Sequence, residues 1–271
     1  MVKFPHWIKR KVIVNTRFLE VKGLLDKFNL NTVCYWAKCP NLFECFSGGH
    51  ASFLILGKIC TRSCSFCGIK KGSPEKVDFE EPERIARAVQ ILDLKYVVIT
   101  SVTRDDLTDK GSNQFYNTVA AIKKFNPKTK IEILIPDFNA KPKLLELIIS
   151  SGADVISHIL ETIKSLYKMV RVYSSYQRGF EVLNFLGRNS KKAFLKSSIM
   201  LGLGEEQEEV LSTIRELRLT GCDILVIGQY LKPDKNCMDV IRFVSPEEFN
   251  LFSEFAYKAG FKYVLSSPFA R

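Results

Sequence analysis

The chain has 271 residues, 46% of them hydrophobic and 25% charged, and a net charge of +11, a balance that suits a folded protein with an ample core and excludes a disordered one. No apolar stretch approaches the ~18 uncharged residues of a membrane span, and the basic opening MVKFPHWIKRKV is not followed by the apolar core of a secretory signal. A cytoplasmic protein of one large domain or two small ones is expected, in which eight cysteines do not read as a disulfide framework.

Positive charge gathers at the start. Residues 1–33 hold Lys3, Lys9, Arg10, Lys11, Arg17, Lys22 and Lys27 against Glu20 and Asp26. Such a field steers an acidic partner, nucleic acid or protein, and equally serves solubility. The segment looks too irregular to form a repeating structural unit. Next come two cysteine triplets, Cys34-x4-Cys39-x5-Cys45 and Cys60-x3-Cys64-x2-Cys67. A structural zinc site wants four protein ligands, whereas closely spaced thiolates in short loops hold iron–sulfur clusters. Three thiolates leave one iron of a cubane open, so two triplets suggest two clusters, each with a special fourth ligand.

From residue 53 onward, short branched apolar runs alternate with helical stretches. Strands are expected at Phe53–Leu56, Tyr96–Thr100, Ile131–Ile135, Asp154–Ser157, Phe194–Met200 and Asp223–Ile227. Helices are expected at Pro82–Leu92, Gln114–Phe125, Pro142–Ser150, Gln177–Leu186, Glu206–Leu219 and Pro246–Ala259, the last capped by Ser245 and ended by Gly260. Six βα units in series imply a parallel sheet. The fold expected is α/β, a partial (β/α)6 TIM-type barrel over residues 51–245. Residues 1–50 form an N-terminal extension carrying the first cysteine triplet, and 246–271 a helix-and-strand C-terminal extension; both are expected to cover the barrel mouth.

The second triplet follows the first strand, and active sites in parallel βα folds collect at the C-terminal ends of strands. The other strand ends are polar: Thr100–Asp106, Pro136-Asp137, His158 to Glu161, Gly202 to Glu205, and Gln229-Tyr230. Each alone reads as an ordinary turn; together they are expected to converge on the cluster loop. Cys222 reads as a buried apolar cysteine, Cys237 as a surface loop residue whose strand-end position leaves a site role open. His6 and His50 read as structural or solvated, Trp7 and Trp36 as packing groups.

The Cys60-x3-Cys64-x2-Cys67 spacing, with Phe66 before the last cysteine, resembles the radical S-adenosylmethionine signature. That resemblance implies a [4Fe–4S] cluster whose open iron takes the methionyl amine and carboxylate of S-adenosylmethionine. Reduction then yields a 5′-deoxyadenosyl radical, the cofactor carrying the hard chemistry. Upstream, Val33-Cys34, Cys39-Pro40-Asn41-Leu42-Phe43-Glu44-Cys45 and Ala51-x-Phe53-x-Ile55-Leu56-Gly57 resemble the lipoyl synthase family. So do Ile99-Thr100-Ser101-Val102-x-Arg104-Asp105-Asp106-Leu107, Pro136-Asp137-Phe138, His158-x-Leu160-Glu161-Thr162, Met200-x-Gly202-Leu203-Gly204-Glu205 and Gly228-Gln229-Tyr230-Leu231-x-Pro233.

The family resemblance implies a sulfurtransferase of lipoate biosynthesis, inserting sulfur at C6 and C8 of an octanoyl chain on a lysine of a carrier domain. It implies two [4Fe–4S] clusters and S-adenosylmethionine: Cys60, Cys64 and Cys67 hold the radical-generating cluster, while Cys34, Cys39 and Cys45 hold the one that donates sulfur. Glu161 and Arg171 read equally as cofactor contacts or salt-bridged rim residues. Implied partners are octanoylated carrier domains (2-oxoacid dehydrogenase E2 or glycine cleavage H protein) and a ferredoxin or flavodoxin donor, with no nucleic acid and no membrane, the protein acting as a monomer. The competing enzyme reading is a radical tRNA methylthiotransferase, and the non-enzyme one a ferredoxin-like carrier. The former wants a C-terminal RNA-binding domain and the latter four cysteines per cluster.

Four positions depart from the family pattern. Ile159 stands where the family has Asn, Ser198 where it has Gly, and Cys237 where a histidine is usual. The family also ends in Arg-Ser-Ser-Tyr, whose serine oxygen ligates the donor cluster, while this sequence ends at Arg271 with Ser266 and Ser267 as the nearby hydroxyls.

Overall fold

Runs of branched residues make the strands and amphipathic stretches make the helices, the two largely alternating from residue 52. A computed structural model describes residues 4–10 and 12–271, so Lys3 and Lys11 of the basic opening lie outside the described residues. The chain divides into two units, one of Val12–Arg62 with Gly68–Ile156, the other of Ser157–Arg271 with Ser63–Cys67 and the N-terminal stretch.

The first unit opens with α1 (Thr16–Lys27), α2 (Val33–Trp36) and α3 (Leu42–Ser47), followed by β1 (Ser52–Ile55) and the short pair β2 (Ile59–Cys60) and β3 (Lys70–Lys71). Then α4 (Glu81–Ile91), β4 (Tyr96–Ser101), α5 (Ser112–Phe125), β5 (Lys130–Leu134), α6 (Pro142–Ser150) and β6 (Val155–Ser157) alternate, β6 ending on the first residue of the other unit. β1 pairs with β4, and β4 with β5, both in parallel. Phe53, Ile55, Ile99, Ile131 and Ile133 of the strands are buried with Ile85, Phe115, Val119 and Ile122 of α4 and α5. Each such side chain contributes about 1.5–3 kcal/mol by leaving water.

The segment before Cys34 is more regular than expected, because α1 runs twelve residues. Asn15 caps it, its Oδ1 accepting the Phe18 N–H at 2.9 Å. The Phe18 ring lies 5.6 Å from Phe43 and 5.4 Å from Phe46, and Val21 and Leu25 on the same face are buried. Phe18, Val21 and Leu25 have the helical spacing that could have revealed this element.

The second unit holds α7 (Tyr167–Val170), α8 (Tyr176–Asn189), β7 (Phe194–Leu201), α9 (Gln207–Leu219), β8 (Ile224–Gln229), α10 (Pro246–Ala259) and β9 (Tyr263–Ser266). β7 pairs with β8, and β8 with β9, again in parallel. β9 therefore extends the same parallel ladder. Ser245 caps α10 through a reciprocal pair of bonds with Glu248, and Gly260 ends it at φ 100°. Gly187 on α8 meets the end of α9 so closely that a Cβ there would lie 1.9 Å from the Thr220 carbonyl oxygen.

Candidate functional site

In the first unit, the residues after Cys60 are held by an arginine clamp. Arg62, only 5% exposed, sends Nε and Nη2 to Asp105 at 2.7 and 3.0 Å, and Nη1 and Nη2 to Asp137 at 2.7 and 2.8 Å. Asn139 Oδ1 takes a further Nη2 bond at 3.3 Å. Burial disfavours the charge, but hydrogen bonds to Asp137 and Asp105 outweigh it and raise the guanidinium pKa. Thr61 N–H and Oγ1 both donate to the Thr103 carbonyl, at 3.0 and 2.9 Å. The backbone N–H groups of Arg62 and Thr103 in turn point at Cys60 Sγ, 3.4 and 3.3 Å away. Hydrogen bonds to a ligand sulfur tune a cluster's potential.

The first triplet also lies in this unit. Thr32 caps α2, accepting the Cys34 N–H at 3.2 Å while donating to the Ser52 carbonyl at 2.8 Å. Cys34 is buried at 5% exposure. The Cys39 N–H returns to the Cys34 carbonyl at 2.9 Å, and the Leu42 N–H to the Cys39 carbonyl at 3.2 Å. Cys45 sits on α3, its N–H bonded to the Asn41 carbonyl at 2.9 Å. Trp36 packs as expected, with its Nε1 on Asn31 Oδ1 and Lys58 over its ring.

The second unit holds Ser63–Cys67. Ser65 N–H donates to the Val170 carbonyl at 3.0 Å and its Oγ to the Met169 carbonyl at 2.5 Å. The Ser65 carbonyl accepts the Met238 N–H at 3.0 Å, and the Cys67 carbonyl faces Cys237 Sγ at 3.5 Å. Phe66 packs with Val170, Leu203 and Tyr230. The Tyr230 hydroxyl donates to the Met238 carbonyl at 2.8 Å; burial, with Cys237, Asp239 and Cys67 adding repulsion, raises its pKa and keeps the proton in place. Cys237 is thus buried, not a loop surface residue, because its thiol is turned onto the Cys67 backbone.

Glu161 and Arg171 lie in the same unit. Glu161, at φ 75°, bridges to Ile199 through its backbone. Burial raises its carboxyl pKa above the ordinary range, with Arg171 opposing. Arg171 Nη1 donates to the Ile159 carbonyl at 2.8 Å and to the Tyr167 hydroxyl at 3.2 Å. The Ser266 hydroxyl donates to the Phe249 carbonyl at 2.7 Å, and the Ser267 N–H to the Ile227 carbonyl at 3.1 Å.

Several polar strand ends are braces. Glu205 accepts the N–H groups of Gly202 and Leu203 at 2.6 and 2.9 Å. Gln229 Nε2 donates to the carbonyls of Leu201, Tyr230 and Arg242, and its Oε1 accepts the Val244 N–H. Cys222 is fully buried, and burial pushes its thiol up to about 12. Sequence reasoning missed the bracing roles of Arg62 and Ser65, whose partners lie far along the chain.

No two of the eight cysteines are joined by a disulfide. Among the described residues, no three Cys, His, Asp or Glu side chains close on a common point at metal-ligand distance. The fit to iron–sulfur clusters therefore rests on the donor set: two groups of three cysteines, and a Cys60 sulfur that accepts two backbone N–H groups.

Residues 54–217 match the model of the radical SAM superfamily. The chain is 47% identical to the lipoyl synthase of Caldicellulosiruptor saccharolyticus, over 99% of this chain and 94% of that one. It is 45% identical to the mitochondrial lipoyl synthase of Nematostella vectensis, over 98% and 91%. Among solved structures, Streptococcus suis SuiB bound to S-adenosylmethionine superposes with a TM-score of 0.61 at 13% identity, over 84% of this chain and 55% of that one. Methylornithine synthase gives 0.57 at 16% identity, over 93% and 82%. These two likenesses show a shared α/β fold, the family model supplies the radical SAM superfamily, and near-complete coverage at almost half identity establishes more: the chain belongs to the lipoyl synthase family, whose members work with [4Fe–4S] clusters and S-adenosylmethionine.

Proposed function

We propose that this chain makes the lipoyl group by inserting two sulfur atoms at C6 and C8 of an octanoyl chain carried on a lysine of a lipoyl domain. The observation that carries the reading is 47% identity to a lipoyl synthase along 99% of the chain, with both cysteine triplets in the matched length. That length favours sulfur insertion over tRNA methylthiolation. In this reading Cys60, Cys64 and Cys67 hold one cluster, Cys34, Cys39 and Cys45 the other, and Glu161 and Arg171 contact S-adenosylmethionine. Residues 1–50 serve as the extension bearing the sulfur-donating site, 51–245 as the catalytic barrel and 246–271 as its cover.

Bound there, the groups supply hydrogen-atom abstraction from unactivated carbon and the sulfur that replaces the hydrogen. The chain's own residues prepare the setting. Arg62 fixes the backbone beyond Cys60, Ser65 and Phe66 fix the segment between Cys64 and Cys67, and two N–H groups orient Cys60 Sγ. Arg171, anchored on the Ile159 carbonyl and Tyr167, presents a fixed positive charge beside which Glu161 can bind an amine. A ferredoxin or flavodoxin supplies electrons, the carrier is an E2 lipoyl domain or H protein, and the enzyme works as a cytoplasmic monomer without nucleic acid.

The test is mass spectrometry of an octanoylated lipoyl domain after anaerobic incubation with the reconstituted chain, S-adenosylmethionine and dithionite. The expected product gains two sulfurs as the dithiol, and loses two hydrogens when it is then oxidised to the cyclic disulfide. An octanoyl domain of unchanged mass beside substantial 5′-deoxyadenosine would overturn the assignment.

A further inference from the structure

Three apolar side chains on one short stretch stand in solvent: Met169 is 53% exposed, Val172 52% and Tyr173 61%. Between them Val170 is fully buried in the apolar cluster that seats Phe66. The carbonyls of Met169 and Val170 receive the hydroxyl and N–H of Ser65. The stretch is thus open to solvent on one side and hydrogen-bonded on the other to the middle of the Cys64–Cys67 segment. Its charge is of one sign. Residues 162–178 carry Lys164, Lys168, Arg171 and Arg178 and no Asp or Glu, and Lys164 and Lys168 are exposed.

We propose that Lys164, Lys168, Met169, Val172 and Tyr173 form the docking surface for an acidic one-electron carrier protein. The proposal rests on the lipoyl synthase reading, whose chemistry consumes electrons from outside the chain. A small apolar centre in a cationic setting suits a brief electron-transfer encounter, which buries less than about 1,200 Å². Opposite charge steers such encounters and sets their rate more than their affinity. From this surface, one hydrogen bond reaches Ser65, and one peptide bond joins Ser65 to Cys64. The step moves one electron: the carrier is oxidised by one, the [4Fe–4S] centre is reduced by one, and no atom changes hands. Direct backbone coupling to the cluster segment matters to an electron carrier and not to an acyl carrier, which favours the former as occupant.

The test compares the reconstituted chain with K164E/K168E and, separately, M169S/Y173S. A flavodoxin hydroquinone is the protein reductant, dithionite the small one, and a flavodoxin titration reads binding without turnover. With flavodoxin, 5′-deoxyadenosine formation is expected to slow about tenfold in both variants, and flavodoxin affinity to weaken with it. Rates with dithionite stay unchanged, and added salt narrows the gap between K164E/K168E and the unaltered chain. Unchanged flavodoxin rate and affinity in both variants would overturn the proposal. So would a raised KM for the octanoylated lipoyl domain with flavodoxin binding intact, which assigns the patch to the acyl carrier. If one variant loses its cluster, the flavodoxin affinity of the other decides. An unaltered chain that cleaves S-adenosylmethionine without making lipoyl product would fail the lipoyl synthase reading and leave the docking result readable.

Discussion

Arg62→Ala removes a cation held between Asp105 and Asp137. Asp137 is buried with 0% of its side chain exposed, while Asp105 is about one-third exposed. Only the buried pair weighs heavily: removing one partner of a buried ion pair costs about 3–5 kcal/mol, whereas the Asp105 pair is partly screened and adds little. At about 2–4 °C per kcal/mol for a chain of this size, the apo protein should melt roughly 6–20 °C lower. Arg62→Lys keeps the charge but cannot match both Asp137 oxygens, which accept at 2.7 and 2.8 Å. It should fall between the two. Thermal unfolding of the cluster-free chain under reducing conditions measures this, and iron bound after reconstitution reads the consequence for Cys60. Melting of Arg62→Ala within about 1 °C of the unaltered chain would refute the clamp.

The acid Glu81 offers a pH test. Burial raises its pKa, only partly offset by bonds from Gln114 and the Leu56 N–H. Its contribution to stability is therefore present below the ordinary glutamate range and lost as pH rises through the raised value. Glu81→Gln keeps an oxygen for both donors, 3.0 Å away in each case; it should flatten the pH dependence of melting and raise the melting temperature at pH 8 relative to the unaltered chain. Gly187→Ala sets two effects against each other. Alanine favours a helix by about 1 kcal/mol, yet its Cβ would press on the Thr220 carbonyl 1.9 Å away, an overpacking of at least about 1–3 kcal/mol. Overpacking should win, giving an earlier urea midpoint with an unchanged slope.

Most of the α/β framework was legible in the sequence, because its strands and helices announce themselves by period and by caps. Pro142–Ser150 and Pro246–Ala259 match residue for residue, where proline opens the helix and a cap or glycine closes it. Elsewhere the ends move by one to three residues. β8 runs on to Gln229 rather than stopping at Ile227, because Gln229 is buried by its side-chain bonds and so reads as polar in the sequence while behaving as core. The α1 helix was missed because charge obscured its narrow apolar stripe. At the site, the cysteine spacing was plain, but which polar strand ends brace the fold and which face a ligand was not. That distinction depends on partners distant in sequence: Arg62 and Asp137 are 75 residues apart, Cys237 and Cys67 170 apart.

The division of labour between the two triplets is tested most directly by two triple variants assayed side by side for iron, 5′-deoxyadenosine and lipoyl product. C60A/C64A/C67A should bind about half the iron of the unaltered chain and form neither product, since three thiolates serve each [4Fe–4S] cluster. C34A/C39A/C45A should also bind about half the iron and still form 5′-deoxyadenosine, yet deliver no lipoyl group. Lipoyl product from C34A/C39A/C45A, or full iron in either variant, would contradict the account.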